Sequence, residues 1–296
     1  MKTLTIFTPT YNRAYLLDRL YKSLCGQSCT DFIWMIIDDG SDDNTREIVQ
    51  NWKQDNIIQI EYHYKTNGGM HTAHNLALEL IVTELNMCID SDDYIPNGAI
   101  AKLLEFWQIN KNDKYAGILG LDAFENGNIV SGKMFPNNIK SGKYYLLKKL
   151  YGLEGDVKFV YRTEIIKKYP HYPVFEGERL TPLGYKYRII DQDYDMLFFN
   201  EVICIVEYMI DGSSNTIYKQ YFRSPKGFRH SRYYTIKYAA NFQEKIIQTA
   251  HLIKESIIAK EYNIFKNNPA KFLSLIVSPV GLVLYLHLKL KMKKNG

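Results

Sequence analysis

The first third of the chain alternates apolar runs with helical spacings. Leu4–Thr8 is a short apolar run ended by Pro9, the mark of a buried strand giving way to a loop. Asn12 is placed to cap a helix that carries Leu16, Leu17, Leu20 and Leu24 on one face. Ile33–Ile37 predicts a second strand, stopped by Asp38-Asp39-Gly40-Ser41, and a helix with Ile48, Val49 and Trp52 on one side follows. Ile57–Tyr64 predicts a third strand and Met70–Leu80 a third helix. Leu85–Ile89 predicts a fourth strand, which runs straight into Asp90-Ser91-Asp92-Asp93. This order calls for an α/β fold: a Rossmann-like, mostly parallel sheet with helices on both faces. Ligands of such sheets bind beyond the carboxyl ends of the strands. The polar clusters Thr8–Asn12, Asp38–Ser41 and Asp90–Asp93 are therefore expected to meet in one cleft.

Beyond Gly117 the pattern is less regular. Gly117–Asp122, Val157–Arg162 and Val202–Tyr208 read as strands, and loops rich in Gly, Pro and Tyr fill much of 124–187. A helical pattern runs from Phe228 to about Tyr262, ahead of Pro269, and gives a C-terminal helical extension. The expected division is 1–125, 126–227 and 228–296.

Composition narrows the class. An apolar share of 46% and a charged share of 23% exclude wholesale disorder. A net charge of +5 is too mild to imply a nucleic-acid partner. The 24 tyrosines read first as half-buried packing residues, with stacking on sugar or base rings as the alternative. Cys25, Cys29, Cys88 and Cys204 form no disulfide framework and read as free thiols. With no export signal at the N-terminus, they point to the cytoplasm. Phe272–Leu288 is free of formal charge, and Lys289, Lys291, Lys293 and Lys294 follow it. An apolar segment beside a basic tail suits the inner face of an anionic membrane. Pro279 and Gly281 within it favour an interfacial hairpin or a docked helix over a span, with a buried helix as the competing expectation.

Carboxylates two apart at a strand end suit a hard divalent ion, so Asp90 and Asp92 are the expected ligands of Mn²⁺ or Mg²⁺. Asp39 at the end of the second strand can accept a hydrogen bond from a base, with Gly40 allowing close backbone approach. Gly68 and Gly69 precede a helix N-terminus and suit an approaching phosphate.

Thr8-Pro9-Thr10-Tyr11-Asn12-Arg13, Asp38-Asp39-Gly40-Ser41-Asp42-Asp43, Asn67-Gly68-Gly69 and Asp90-Ser91-Asp92-Asp93 together resemble family 2 glycosyltransferases of the GT-A fold. The likeness is specific over about 1–125. It continues more loosely through Phe175-Glu176-Gly177-Glu178 and Glu207–Ser213, which are similar to bacterial capsular and cell-surface polysaccharide transferases. The resemblance implies a nucleoside diphosphate sugar as donor, UDP-sugar favoured, and a glycan or lipid-linked acceptor. It makes 1–125 the donor half and 126–227 the acceptor half. It implies that Thr8, Pro9 and Tyr11 line the base and that Asp39 bonds uracil. Gly68 and Gly69 then pass beside the donor, Asn75 helps fix the ribose region, and Asp90, Ser91 and Asp92 serve the ribose and metal. Transfer is expected to invert the anomeric centre, with a carboxylate taking the acceptor proton. Relatives place that carboxylate at a helix start, where this chain has Thr181-Pro182-Leu183-Gly184-Tyr185. The substitutes are Glu178, then Glu176 and Asp191, with Asp193 beside them. Two further readings compete: a sugar nucleotidyltransferase, disfavoured because no glycine follows the first strand, and a non-catalytic membrane-surface protein that keeps a nucleotide fold.

Overall fold

The computed structural model describes residues 2–209, 216–263, 265 and 268–294. Its chain divides into two compact units, Met1–Pro170 with Ile190–Glu207, and His171–Ile189 with Tyr208–Gly296.

The first unit is built on eight strands: β1 Leu4–Thr10, β2 Phe32–Asp38, β3 Ile60–Tyr64, β4 Leu85–Cys88, β5 Tyr115–Ala123, β6 Ser141–Gly142, β7 Val157–Arg162 and β8 Asp195–Ile205. They form one sheet in the order β3-β2-β1-β4-β7-β5-β8-β6. The first four are parallel, while β7 runs antiparallel to both β4 and β5. Helices α1 Ala14–Cys25, α2 Thr45–Asp55, α3 Met70–Leu80 and α4 Ala99–Asn110 connect the early strands. Short helices α5 Leu147–Tyr151 and α6 Thr163–Ile166 come later, and the boundary between units falls within α7 Gly184–Asp193.

One face of the sheet buries Ile6, Trp34 and Met87 against Leu17 and Leu20 of α1, Trp52 of α2 and Trp107 of α4. The other face buries Phe7, Met35 and Ile37 against Ala73 and Ala77 of α3. β1 and β2 thus read as continuous apolar runs because both their faces are covered. Truncating a residue such as Leu20 to alanine removes about 2–5 kcal/mol of stability.

Several local expectations are corrected. Asn12 does not cap α1. Its backbone sits at φ 51°, its N–H donates to Ser41 Oγ at 2.9 Å and its Oδ1 accepts from Asp42 N–H at 2.9 Å. It ties two loops together, and the free N–H of Ala14 at the start of α1 goes to Asp43 Oδ2 at 3.0 Å. β3 begins at Ile60 and β8 already at Asp195. Helix α4, unanticipated, carries Ile100, Leu103, Leu104 and Trp107 on its buried side.

The second unit holds α8 Ile217–Arg223, α9 Pro225–Lys237, α10 Phe242–Ile258 and α11 Lys271–Lys294. The expected long helix from Phe228 is broken at Asn241, whose side chain accepts the Glu244 N–H at 2.7 Å while Glu244 accepts the Ala240 N–H at 2.7 Å. Such reciprocal caps satisfy backbone donors that would otherwise be orphaned. α11 is one helix that passes through Pro279, so the hairpin is replaced by a docked helix. A Cβ on Gly281 would lie 2.5 Å from Ile253 Cβ, so the glycine lets α11 close onto α10. The remaining face of α11 leaves Phe272, Ile276, Val283 and Leu290 exposed. By length and hydropathy Lys271–Met292 would suffice to cross a membrane. The side chains of Lys293 and Lys294, and Ile210–Ser213 of the Glu207–Ser213 motif, lie outside the described residues.

Candidate active site

The three strand-end clusters converge. β1 pairs with β4 only as far as Phe7, so Pro9, whose backbone faces the β4 side, forfeits no ladder bond. Thr10 faces β2 and its carbonyl accepts the Asp39 N–H at 2.8 Å. Thr8 and Pro9 are buried, and Thr8 Oγ1 accepts the Trp34 indole N–H at 3.0 Å. Tyr11 is 45% exposed and stands at the rim.

At the end of β2 the two aspartates divide the work. Asp38 is spent on structure: it accepts the Ser41 N–H at 2.8 Å and the Tyr62 hydroxyl at 2.6 Å. Asp39 gathers the glycine loop, with Oδ1 accepting the Gly68 N–H at 3.0 Å and Lys65 Nζ at 2.5 Å, and Oδ2 accepting the Gly69 N–H at 2.7 Å. One acceptor position on Oδ2 is left over in this arrangement. A side chain at Gly40 (φ +89°) would meet Asn67 N at 2.7 Å, so only glycine lets the two loops touch. Asn75 lies half-buried on α3.

The end of β4 collects charge. Asp93 closes the turn by its N–H to the Asp90 carbonyl at 3.1 Å. Ser91 is buried. Arg13 Nη1 pairs with Asp92 Oδ2 at 2.9 Å. Arg19 donates to the Asp92 carbonyl and pairs with Glu207 at 2.6 Å. From β7, Lys158 reaches Asp93 at 3.5 Å and Asp122 at 3.9 Å. Burial works against the Lys158 charge, but Asp122, Cys204, Asp93 and Asp90 outweigh it and hold its pKa well above the usual lysine range. Burial pushes Asp93 up to about 7 and Asp122 to about 6, and raises Asp90, although Lys158 opposes each shift. Five carboxylates here, Asp90, Asp92, Asp93, Asp122 and Glu207, face three cationic side chains, Lys158, Arg13 and Arg19. Such a surplus of hard oxygen donors is the chemistry that suits a divalent cation. Among the described residues no group of three or more His, Cys, Asp or Glu could hold a metal by itself.

The carboxylate candidates separate. Glu178, in the second unit, accepts the Lys226 N–H at 3.0 Å and the Gly227 N–H at 2.9 Å. Glu176 is exposed in the same loop. Asp191, in the first unit, is 2% exposed and accepts the Tyr145 N–H at 2.8 Å. Asp193 accepts from the Tyr169 hydroxyl at 2.6 Å.

The placement of three residues escaped the sequence reading. Lys158 and Arg13 reach the acidic turn from distant segments. His71 is 1% exposed in the first turn of α3, and neither ring nitrogen has a hydrogen-bond partner among the described residues. Burial lowers its pKa against the pull of Asp39, which keeps a neutral imidazole beside that carboxylate.

A family model described as Glycosyl transferase family 2 matches residues 5–169, more than half of the chain. The chain is 25% identical over 247 residues to the poly(ribitol-phosphate) beta-N-acetylglucosaminyltransferase TarP of Staphylococcus aureus (strain N315), covering 76% of this chain and 74% of that protein. It is 28% identical over 188 residues to the GalNAc(5)-diNAcBac-PP-undecaprenol beta-1,3-glucosyltransferase of Campylobacter jejuni, covering 61% of this chain and 58% of that one. In fold it is similar to S. aureus TarS 1-349 in complex with UDP-GlcNAc, with a TM-score of 0.60 and 16% identity over 100% of this chain and 92% of that chain. It is also similar to the mannosyltransferase PcManGT of Pyrobaculum calidifontis in complex with GDP-Man and Mn²⁺, with a TM-score of 0.56 and 15% identity over 98% and 83%.

Proposed function

The chain belongs to glycosyl transferase family 2, and from that premise we propose that it transfers a sugar from a UDP-sugar to a hydroxyl of a surface glycan or lipid-linked acceptor, inverting the anomeric centre. The observation that carries the reading is the surplus of carboxylates at the end of β4, beside a glycine loop held by Asp39. UDP-GlcNAc in the TarS complex supports the choice of nucleotide, and Mn²⁺ beside GDP-Man in PcManGT supports a divalent ion.

In this reading residues 1–125 take the donor and 126–227 the acceptor. Tyr11 offers its ring to the base, between Thr8 and Pro9 on one side and Asp39 on the other. The open Oδ2 position of Asp39 accepts the base N–H, while Gly68, Gly69 and Asn75 border the ribose and diphosphate. Asp90 and Asp92 would hold Mn²⁺ or Mg²⁺, with Ser91 between them. Bound there, such an ion would supply electrostatic stabilisation of the departing diphosphate. Arg13, which pairs with Asp92 in this structure, would offer its guanidinium to the diphosphate if that carboxylate were given over to the ion. Glu178, ahead of Glu176 and Asp191, accepts the acceptor hydroxyl proton.

The exposed apolar face of α11, with Lys289 and Lys291 toward its C-terminal end, supports a peripheral position on the cytoplasmic membrane face. A thermal-shift series with UDP-GlcNAc, UDP-glucose and GDP-mannose, with and without Mn²⁺, tests the donor assignment. UDP-sugars with Mn²⁺ should raise the melting temperature most, since a ligand bound only by the folded state stabilises it. If no nucleotide sugar does so, the reading fails.

A further inference from the structure

The second unit contains a cavity of about 430 Å³ that the donor chemistry leaves unused. It lies along α9 and is lined by two kinds of group. Lys226 and Arg229 bring positive charge, and Phe175, His230, Tyr233 and Tyr234 bring rings.

The rings form a connected set. His230 lies 5.1 Å from Tyr185 and 5.2 Å from Tyr234, Tyr233 meets Tyr234 edge-on at 5.0 Å, and Tyr234 stacks on Tyr185 at 5.1 Å. Each ring is thereby held by another, which makes a rigid wall. Arg229 is likewise fixed, by Ser256 at 3.0 Å and by Glu261, which also lines the cavity, at 2.8 Å. Lys226 differs. It is half-buried, yet its ammonium makes no hydrogen bond or ion pair among the described residues. The N–H groups of Lys226 and Gly227 are already taken by Glu178, so the start of α9 is closed to an outside anion. An anion in this cavity must be held by side chains, and Lys226 is the lining cation without a side-chain partner among the described residues.

A half-buried lysine beside a wall of packed rings matches a ligand with an anionic end and a ring or polyol body. Phosphate oxygens answer the cations, and the C–H face of a sugar packs on aromatic rings. We propose that this cavity binds a phosphate-bearing unit of the acceptor, a phosphate esterified to a sugar or polyol. This deepens the acceptor side of the function proposed above and rests on it. It also puts the recognised phosphate in the same unit as Glu178, whose carboxylate is bonded to the backbone that carries Lys226.

Calorimetry on the full chain without donor tests it, with glycerol 3-phosphate, inorganic phosphate, glucose and geranyl diphosphate as probes. Glycerol 3-phosphate should bind more tightly than inorganic phosphate or glucose. Lys226→Met should weaken it about tenfold or more, the loss of one charge-assisted hydrogen bond, with UDP affinity unchanged. Tyr233→Ala should weaken glycerol 3-phosphate and spare inorganic phosphate, and this variant decides the matter if Lys226→Met does not fold. Preference for glycerol 3-phosphate over geranyl diphosphate supports the sugar or polyol phosphate, and the reverse, which points to a prenyl diphosphate without a polyol body, overturns it. No binding of any phosphate probe, or binding that both folded variants leave intact, overturns the site. Phosphate binding in a chain that ignores UDP would leave this site standing and remove the donor reading instead.

Discussion

Arg13 Nη1 donates to Asp92 Oδ2 across 2.9 Å, joining the loop after β1 to the acidic turn after β4. A cation of the protein thus occupies a carboxylate proposed for a metal. Asp92→Ala should cut Mn²⁺-dependent turnover on the order of 10²-fold or more, given the several kcal/mol a metal contributes to charge stabilisation. The melting temperature should hardly move, because this side chain serves no backbone donor in the described contacts. Full activity of Asp92→Ala, or of the wild type in excess chelator, would rule out the metal role.

Asp39 has two duties, and two variants separate them. Asp39→Ala should weaken UDP binding by about 1.5–3 kcal/mol, the range for hydrogen bonds to charged groups. It should also lower the melting temperature, since the N–H groups of Gly68 and Gly69 lose their acceptor. Asp39→Asn keeps one acceptor oxygen and should retain more stability than affinity. Titration calorimetry beside thermal melts reads both, and unchanged UDP affinity in Asp39→Ala would contradict the base contact.

Glu178→Gln keeps one oxygen for the start of α9 and removes the proposed base. Turnover should fall about 10²–10⁴-fold, with UDP affinity intact. Asp191→Asn should act on the melting temperature, because Asp191 is buried on the Tyr145 N–H. A wild-type rate in Glu178→Gln together with a dead, well-folded Asp191→Asn would transfer the role to Asp191.

Burial holds His251 well below the usual histidine value of 6.5, at about 4, with Arg232 and Lys254 adding their charge. A folded-state value lower than the unfolded one means that the unfolded chain takes up the proton first. The contribution of this residue to stability is complete above 6.5 and declines as pH falls toward about 4. His251→Gln should lose less melting temperature than the wild type over that interval. Parallel curves for the two proteins would show that His251 is not the group responsible.

Single charges on the free face of α11 test the membrane position better than removal of the helix. Ile276→Asp with Val283→Asp should release the protein from anionic liposomes in co-sedimentation and leave its melting temperature in place. Deleting 270–296 should release it as well, but also strip cover from α10, where Gly281 meets Ile253. Equal liposome binding by the double variant and the wild type would dismiss the membrane face.

The first four strands and the meeting of the polar clusters at their ends were legible because their signals are local. Apolar runs that end at Asp38-Asp39 or at Asp90 announce both a strand and the polar group at its tip. α4 is written in the sequence too, since Ile100, Leu103, Leu104 and Trp107 follow helical spacing. The break at Asn241 was written in Asn241 and Glu244, three apart. Lys158 was not legible, and Arg13 was legible only as the end of the Thr8–Arg13 motif, not as the partner of Asp92. Nothing near Lys158 in the sequence says that β7 inserts beside β4, and pairing between distant strands leaves no periodic mark. The proposed base stayed obscure because Thr181-Pro182-Leu183-Gly184-Tyr185, the stretch at which the resemblance expects it, holds no carboxylate.

The position of β7 also orders the events of folding. It lies between β4 and β5 in the sheet although it follows both in the chain. As the polypeptide leaves the ribosome, β1 to β4 can pair and take their helices, but β4 keeps an open edge until Val157–Arg162 emerges. β5 waits for the same strand and then for β8, more than seventy residues downstream of its own end. Assembly from the N-terminal end is thus followed by a late closure that needs long-range pairing, a slow and aggregation-exposed step. A nascent chain stalled before Val157 would present an unsatisfied strand edge to chaperones or to another copy of itself.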